Sequence, residues 1–236
     1  MNNEKTSCIL LFIKYPKKGH VKNRLAKDIT QENAVNLYKK FVIDIISTVQ
    51  QIKTTLILCH HPSTMLPQFQ KWLGQHQNYI PQKGNNLGER MTYCFKYVFN
   101  KGFQRAILIG SDSPDIPKKI LTNALNQLQK NDIVIGPATD GGYYLIGFNQ
   151  TTFLPQIFES ITWSNSTVYK QTKEKIEKTN YQLNILPFWS DVDTIDDLKE
   201  FVQRNKKTDF KSSHSITYLQ KNRKILEGDN ATTTKR

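Results

Sequence analysis

The stretch AILIGSDSPDIPKKILTNALNQLQKNDIVIG, residues 106–136, decides the fold. Its first five residues offer no polar side chain, as expected of a strand covered on both faces. Pro117 follows near the first turn of a helix whose apolar residues recur at helical spacing. DIVIG, 132–136, returns to strand character. Strand, helix and strand in that order predict right-handed βαβ units and a mostly parallel sheet.

Working outward, the alternation continues. Residues 8–13 and 55–60 read as strands. Residues 31–52 place Val35, Tyr38, Phe41, Val42, Ile45, Ile46 and Val49 on one helical face. Residues 87–100 do the same with Leu87, Met91, Cys94, Phe95, Val98 and Phe99. Tyr143–Phe148 and 181–189 read as further strands, 167–180 as a charged surface helix, and Thr194 as the cap of an amphipathic helix. The chain of 236 residues suits one α/β core. Residues 1–204 are expected to form that domain. Residues 205–236, where apolar positions thin out, are expected to form a basic, loosely ordered tail with one short helix near Ile216–Ile225.

Composition narrows the function. Thirty-three Lys and Arg against 20 Asp and Glu give a net charge of +13. From Arg204 onward nine basic residues face three acidic ones. This balance suits an anionic partner. No apolar run reaches the roughly 18–20 residues that span a bilayer, so a cytoplasmic protein is expected. Cys8, Cys59 and Cys94 are far apart, in apolar surroundings, and read as small core residues. The five histidines lack ligand spacing, which argues against a transition-metal site or a histidine-based triad.

In an open parallel sheet, ligands sit beyond the carboxyl ends of the strands. Three loops lie there. KYPKKGHVKNRLAKD, 14–28, holds Lys14, Lys17, Lys18, Lys22, Arg24 and Lys27, with Gly19 allowing a tight turn. It is a phosphate cradle or a solvated lysine loop, and it matches neither the P-loop nor the dinucleotide fingerprint. Asp112 directly follows the apolar strand, where a hard divalent cation finds a carboxylate beside substrate phosphates. Asp115 reads as structural. In SDVDT, 190–194, Asp191 and Asp193 point to one side while Val192 packs to the other. Such a pair needs a cation or donors, unless Asp193 and Thr194 simply begin the helix.

FIKYPKKGHVKNRLA, QKGNNLGERM, ILIGSDSPDIP, GPATDGGYYLIG and DVDTIDDL, in this order across residues 8–202, resemble a bacterial glycosyltransferase family. It is the radical-SAM/selenodomain-associated transferase 1 type of the nucleotide-diphospho-sugar transferase (GT-A-like) superfamily. Molybdenum-cofactor and 2-phospho-lactate guanylyltransferases are more distant relatives. The chain departs from the family pattern at Lys18, Asn23, Asn86 and Ser113, where the family commonly carries Pro, Thr, Asp and Cys.

The resemblance implies a Rossmann-like GT-A fold with one antiparallel strand, supplied by Tyr143–Phe148, and helices on both faces. It implies Mg²⁺ or Mn²⁺ on Asp112, Asp191 and Asp193. Lys14, Gly19, Lys22, Arg24, Gly88, Arg90, Gly141 and Gly142 are expected to bind substrate. Lys22 and Arg24 are expected to neutralise the leaving phosphate. Gly141 and Gly142 are expected to leave room for donor or acceptor, with Asp140 as hydroxyl partner or base. The implied activity is glycosyl transfer from a nucleotide sugar to a small-molecule acceptor. The alternative is nucleotidyl transfer from a nucleoside triphosphate with release of pyrophosphate. A polyanion or nucleic-acid binder is disfavoured, because acidic loops adjoin the basic one and would repel a phosphate backbone.

Overall fold

The wholly buried run Cys8–Ile13 makes β1, Ser7–Lys14, the middle of the fold. The computed structural model describes residues 6–227. After β1 come α1 (Ala26–Ile29), α2 (Gln31–Gln50), β2 (Thr55–His61), α3 (Leu66–Leu73), β3 (Asn78–Pro81) and α4 (Leu87–Asn100). Then follow β4 (Arg105–Ile109), α5 (Lys118–Gln127), β5 (Ile133–Pro137), β6 (Tyr143–Asn149) and α6 (Val168–Glu177). The chain continues through β7 (Leu183–Ile185), α7 (Ile195–Asn205), α8 (His214–Lys221) and α9 (Lys224–Glu227).

One seven-stranded sheet runs in the order β3-β2-β1-β4-β6-β5-β7. β6 is antiparallel to both β4 and β5, and every other pairing is parallel. The expected α/β architecture with one antiparallel strand is therefore the observed one. β7 is shorter than the 181–189 run read from sequence, and an isolated bridge from Ala138 to Trp189 continues its direction. The chain winds from β1 outward to β3, then returns to the other side of β1 with β4. That reversal opens a crevice beyond the ends of β1 and β4. Tyr38 closes its floor: its hydroxyl accepts from the Lys14 amide at 2.9 Å and shares a 3.1 Å hydrogen bond with Ser111. Burial pushes that phenol up to about 12.

Alternate residues of each strand feed opposite faces, which is why two cores form. Ile9, Leu11 and Ile13 pack under α2 and α5, whereas Cys8, Leu10 and Phe12 meet α4. All three cysteines lie in this second core and are free. No described helix is long and apolar enough to cross a membrane.

The C-terminal segment corrects one expectation. Residues 206–227 include the short helix expected near Ile216–Ile225, as α8, and pack against the body rather than forming a loose tail; residues 228–236 lie outside the described part. Ile216, Leu219 and Ile225 enter a third cluster with Leu37 and Phe41 of α2 and Leu198 and Phe201 of α7. The buried Asp44 carboxylate on α2 completes the docking. It accepts from the backbone amides of His214 (2.8 Å) and Ser215 (2.9 Å), from the Ser215 hydroxyl (2.5 Å) and from His214 Nδ1 (3.0 Å). An acid supplied by another helix thus satisfies the first free N–H groups of α8.

Candidate active site at the sheet crevice

β4 delivers Asp112 to the crevice, and the segment before α7 delivers Asp191 and Asp193. The two arms are joined backbone to backbone, Val192 N–H donating to Asp112 C=O at 2.9 Å. Val192 is fully buried in the third cluster, so its acidic neighbours turn outward, as the alternating pattern requires. Thr194 caps α7 in a reciprocal box with Asp197. The helix start therefore does not consume Asp193, which instead meets Lys22.

Lys22 links the basic loop to both arms. Its ammonium pairs with Asp112 Oδ1 and lies 2.9 Å from Asp193 Oδ1. Only 2% of the lysine side chain is exposed, against 48% for Asp112 and 37% for Asp193. Burial alone would lower the Lys22 pKa, but the two carboxylates overcome it and hold the ammonium charged. Burial alone would raise Asp112; Lys22 first, then Lys14, hold it below its ordinary value. Asp191 differs. Its Oδ1 accepts from Ser113 Oγ at 2.5 Å, yet burial and the nearby Asp112 charge push it up to about 7.

These carboxylates suit a hard cation by their chemistry. Four carboxylates, Asp112, Asp191, Asp193 and Asp140, act on one another here, the Lys22 ammonium pairs with two of them, and Asp191 is raised first by burial and then by the neighbouring Asp112 charge. Mg²⁺ needs only one or two carboxylates beside waters and phosphates. Asp112 and Asp191, close enough for the charge of one to raise the pKa of the other, offer two such carboxylates. Asp193 is engaged by Lys22, and among the described residues no set of three or more His, Cys, Asp or Glu is arranged to hold a metal.

Asp115 serves the frame. Its side chain is 1% exposed. It accepts from Arg204 Nε (2.6 Å) and Nη2 (2.8 Å), Asn205 Nδ2 (2.6 Å) and Trp189 Nε1 (3.3 Å). These bonds pin the loop after β4 to α7 and to the segment carrying Asp191.

Beside the acids, a cavity of about 350 Å³ is lined by Lys14, Lys17, His20, His61 and Arg90, with no carboxylate in its wall. Gln82 ties together the neighbouring strand ends, donating to Ile13 C=O of β1 and Cys59 C=O of β2. Arg90 Nε donates to Gly84 C=O at 3.1 Å, fixing the loop before α4. Burial, then the charges of Arg90, Lys14 and His60, lower the His61 pKa, so its ring is neutral near pH 7. Its buried Nδ1 has no protein partner. Sequence reading passed over His20 and His61 as isolated. The strand-end rule that selected the other loops applies equally to the end of β2, where His61 sits.

The remaining expected residues are placed as follows. Gly19 takes φ +79° and its amide donates to Gln31 Oε1 at 2.8 Å; Arg24 is exposed. Gly88 is buried where a Cβ would stand 2.6 Å from Phe158 C=O, so its contact is internal packing. Asp140 is exposed and its Oδ1 accepts from the Gly142 amide at 2.9 Å. Gly141 has φ +92°, and a Cβ there would collide with the Ser166 backbone. Internal packing therefore demands the first glycine. At Gly142 the nearest obstacle is Asp140 itself, 3.2 Å away.

Comparison with known proteins places this arrangement. Residues 45–165 match the family described as "Uncharacterized protein conserved in bacteria (DUF2064)". A solved structure described as "putative nucleotide-diphospho-sugar transferase", from Desulfovibrio desulfuricans G20, is 40% identical with a TM-score of 0.90. That match covers 94% of this chain and 96% of that one. A 4-diphosphocytidyl-2C-methyl-D-erythritol synthase from Anaerococcus prevotii DSM 20548 shares the fold at 11% identity and a TM-score of 0.56, covering 92% and 100% of the two chains. A cytidylyltransferase from Leptospira borgpetersenii does so at 13% and 0.56, covering 98% and 99%.

Proposed function

This chain belongs to the DUF2064 family, and on that premise we propose that it is a transferase acting on a nucleotide-activated donor, transferring the sugar of a nucleotide sugar to a small-molecule acceptor. One observation carries the reading: an acidic cluster and an acid-free basic cavity stand side by side where the sheet order reverses. A phosphorylated ligand held with a divalent cation needs both signs of charge next to each other. The relative from Desulfovibrio desulfuricans supports the same substrate class.

In this reading Lys14, Lys17 and Arg90 hold the phosphates. The neutral His61, with an unpartnered ring nitrogen, meets a hydroxyl or N–H of the nucleotide. Asp112 and Asp191 hold Mg²⁺ or Mn²⁺, which when bound neutralises charge on the pyrophosphate. Asp140 keeps one oxygen on the Gly142 amide and offers the other to the acceptor hydroxyl, taking its proton as the new glycosidic bond forms. The nucleoside diphosphate then leaves with the anomeric C–O electron pair. Catalysis rests on positioning and fixed charge.

A second reading is nucleotidyl transfer to a phosphorylated small molecule. The clustering of Lys14, Lys17 and Arg90 around one cavity favours it, because a triphosphate carries more negative charge than the diphosphate of a nucleotide sugar. Incubation with Mg²⁺ and panels of nucleotide sugars and nucleoside triphosphates, with products resolved by mass spectrometry, separates the two. A nucleoside diphosphate supports glycosyl transfer, pyrophosphate supports nucleotidyl transfer, and turnover of neither panel contradicts both.

A further inference from the structure

Asp112 and Asp193 already share a cation. The Lys22 ammonium touches Oδ1 of both, and the Phe41 ring lies 5.6 Å from it. Lys22 also holds φ +48°, a left-handed conformation that a residue with a Cβ keeps only when its surroundings fix it. Its own ion pairs supply that fixation. It belongs to the segment between β1 and α1, which presents Lys17 and His20 to the basic cavity beside Lys14 at the end of β1. Among the described residues, no three or more His, Cys, Asp or Glu form a ready ligand set.

A divalent ion and an ammonium repel each other strongly when they share one carboxylate. We propose that Lys22 is the resident counter-cation of the acidic cluster and that a divalent ion displaces it, releasing the ammonium toward phosphate in the neighbouring cavity. This rests on the metal-assisted reading above. The displaced lysine makes metal and phosphate ligand bind cooperatively, because each favours the same rearranged loop. It also reconciles two facts: a lysine suited to phosphate is 2% exposed, and its two partners are half open to solvent.

Amine-directed labelling quantified by mass spectrometry tests the exchange on the unaltered protein. Lys22 is expected to be protected without metal and to label at least tenfold faster in saturating Mn²⁺. Unchanged protection while electron paramagnetic resonance shows bound Mn²⁺ overturns the proposal. In a second measurement, Lys22→Met is expected to bind Mn²⁺ at least tenfold more tightly than wild type, with that gain lost in Lys22→Met/Asp112→Asn. Equal or weaker binding by Lys22→Met overturns the proposal and leaves the metal reading standing. Failure of Mn²⁺ to bind wild type and Lys22→Met alike, with or without nucleotide, removes the metal reading and the exchange together. Should Lys22→Met not fold, the labelling result decides alone.

Discussion

Lys22 Nζ stands 2.9 Å from Asp193 Oδ1, although 171 residues separate them in the chain. The contact closes the basic loop onto the acidic arms and makes the crevice one electrostatic unit. Its consequences reach from stability to ligand binding.

Asp115 and Asp112 lie three residues apart and should respond in opposite ways. Asp115→Ala leaves Arg204 and Asn205 without their buried acceptor and is expected to cost about 3–5 kcal/mol in chemical denaturation. Asp112→Asn, at a half-exposed carboxylate, is expected to cost under about 1.5 kcal/mol while abolishing turnover. Equal destabilisation by both would contradict the division of labour.

The paired glycines should also separate. Gly141→Ala drives a side chain into Ser166 from a left-handed backbone and is expected to lose at least about 2 kcal/mol of stability. Gly142→Ala is expected to lose less than about 1 kcal/mol, because only the Asp140 side chain must yield. Its effect belongs in turnover, measured beside the melting curve.

Asp191 gives stability a pH dependence. Its folded pKa is raised to about 7, so between pH about 4 and 7 the native state keeps a proton that the unfolded chain has released. Its contribution is therefore fully present below that window and is lost as pH rises through 7. Mg²⁺ holds the carboxylate ionised and reverses the loss. Melting temperatures are expected to rise little with Mg²⁺ at pH 5 and clearly at pH 8; a larger gain at pH 5 contradicts the assignment.

Asp44 should govern the C-terminal helices without touching the crevice. Asp44→Ala strands the first amides of α8 and is expected to cost roughly 2–3 kcal/mol. Limited proteolysis should then cut between 205 and 214, with Mn²⁺ binding retained.

Much of this architecture was legible because strong apolar strands and their following loops carry local signals. AILIG led to Asp112, and the Asp191–Val192–Asp193 alternation gave the correct facing. The segment 62–81 was not read as α3 and β3, since its helix has two turns and its strand four residues. The packing of the helices after 205, of which one was expected near Ile216–Ile225, was hidden for another reason. Their sparse apolar residues become a core only against α2 and α7, and Asp44, whose place in an apolar helix was the available clue, caps an element 170 residues away. Lys22 looked like a free phosphate ligand because its partners come from distant loops. The sheet topology brings them together, and sequence spacing does not report it.

The most direct measurement is anomalous diffraction from crystals grown with Mn²⁺ and a nucleotide. One Mn²⁺ is expected about 2 Å from carboxylate oxygens of both Asp112 and Asp191, with phosphate oxygens reaching Lys14 and Arg90. A fully occupied Mn²⁺ elsewhere, or a nucleotide seated outside the crevice between β1 and β4, would contradict this expectation.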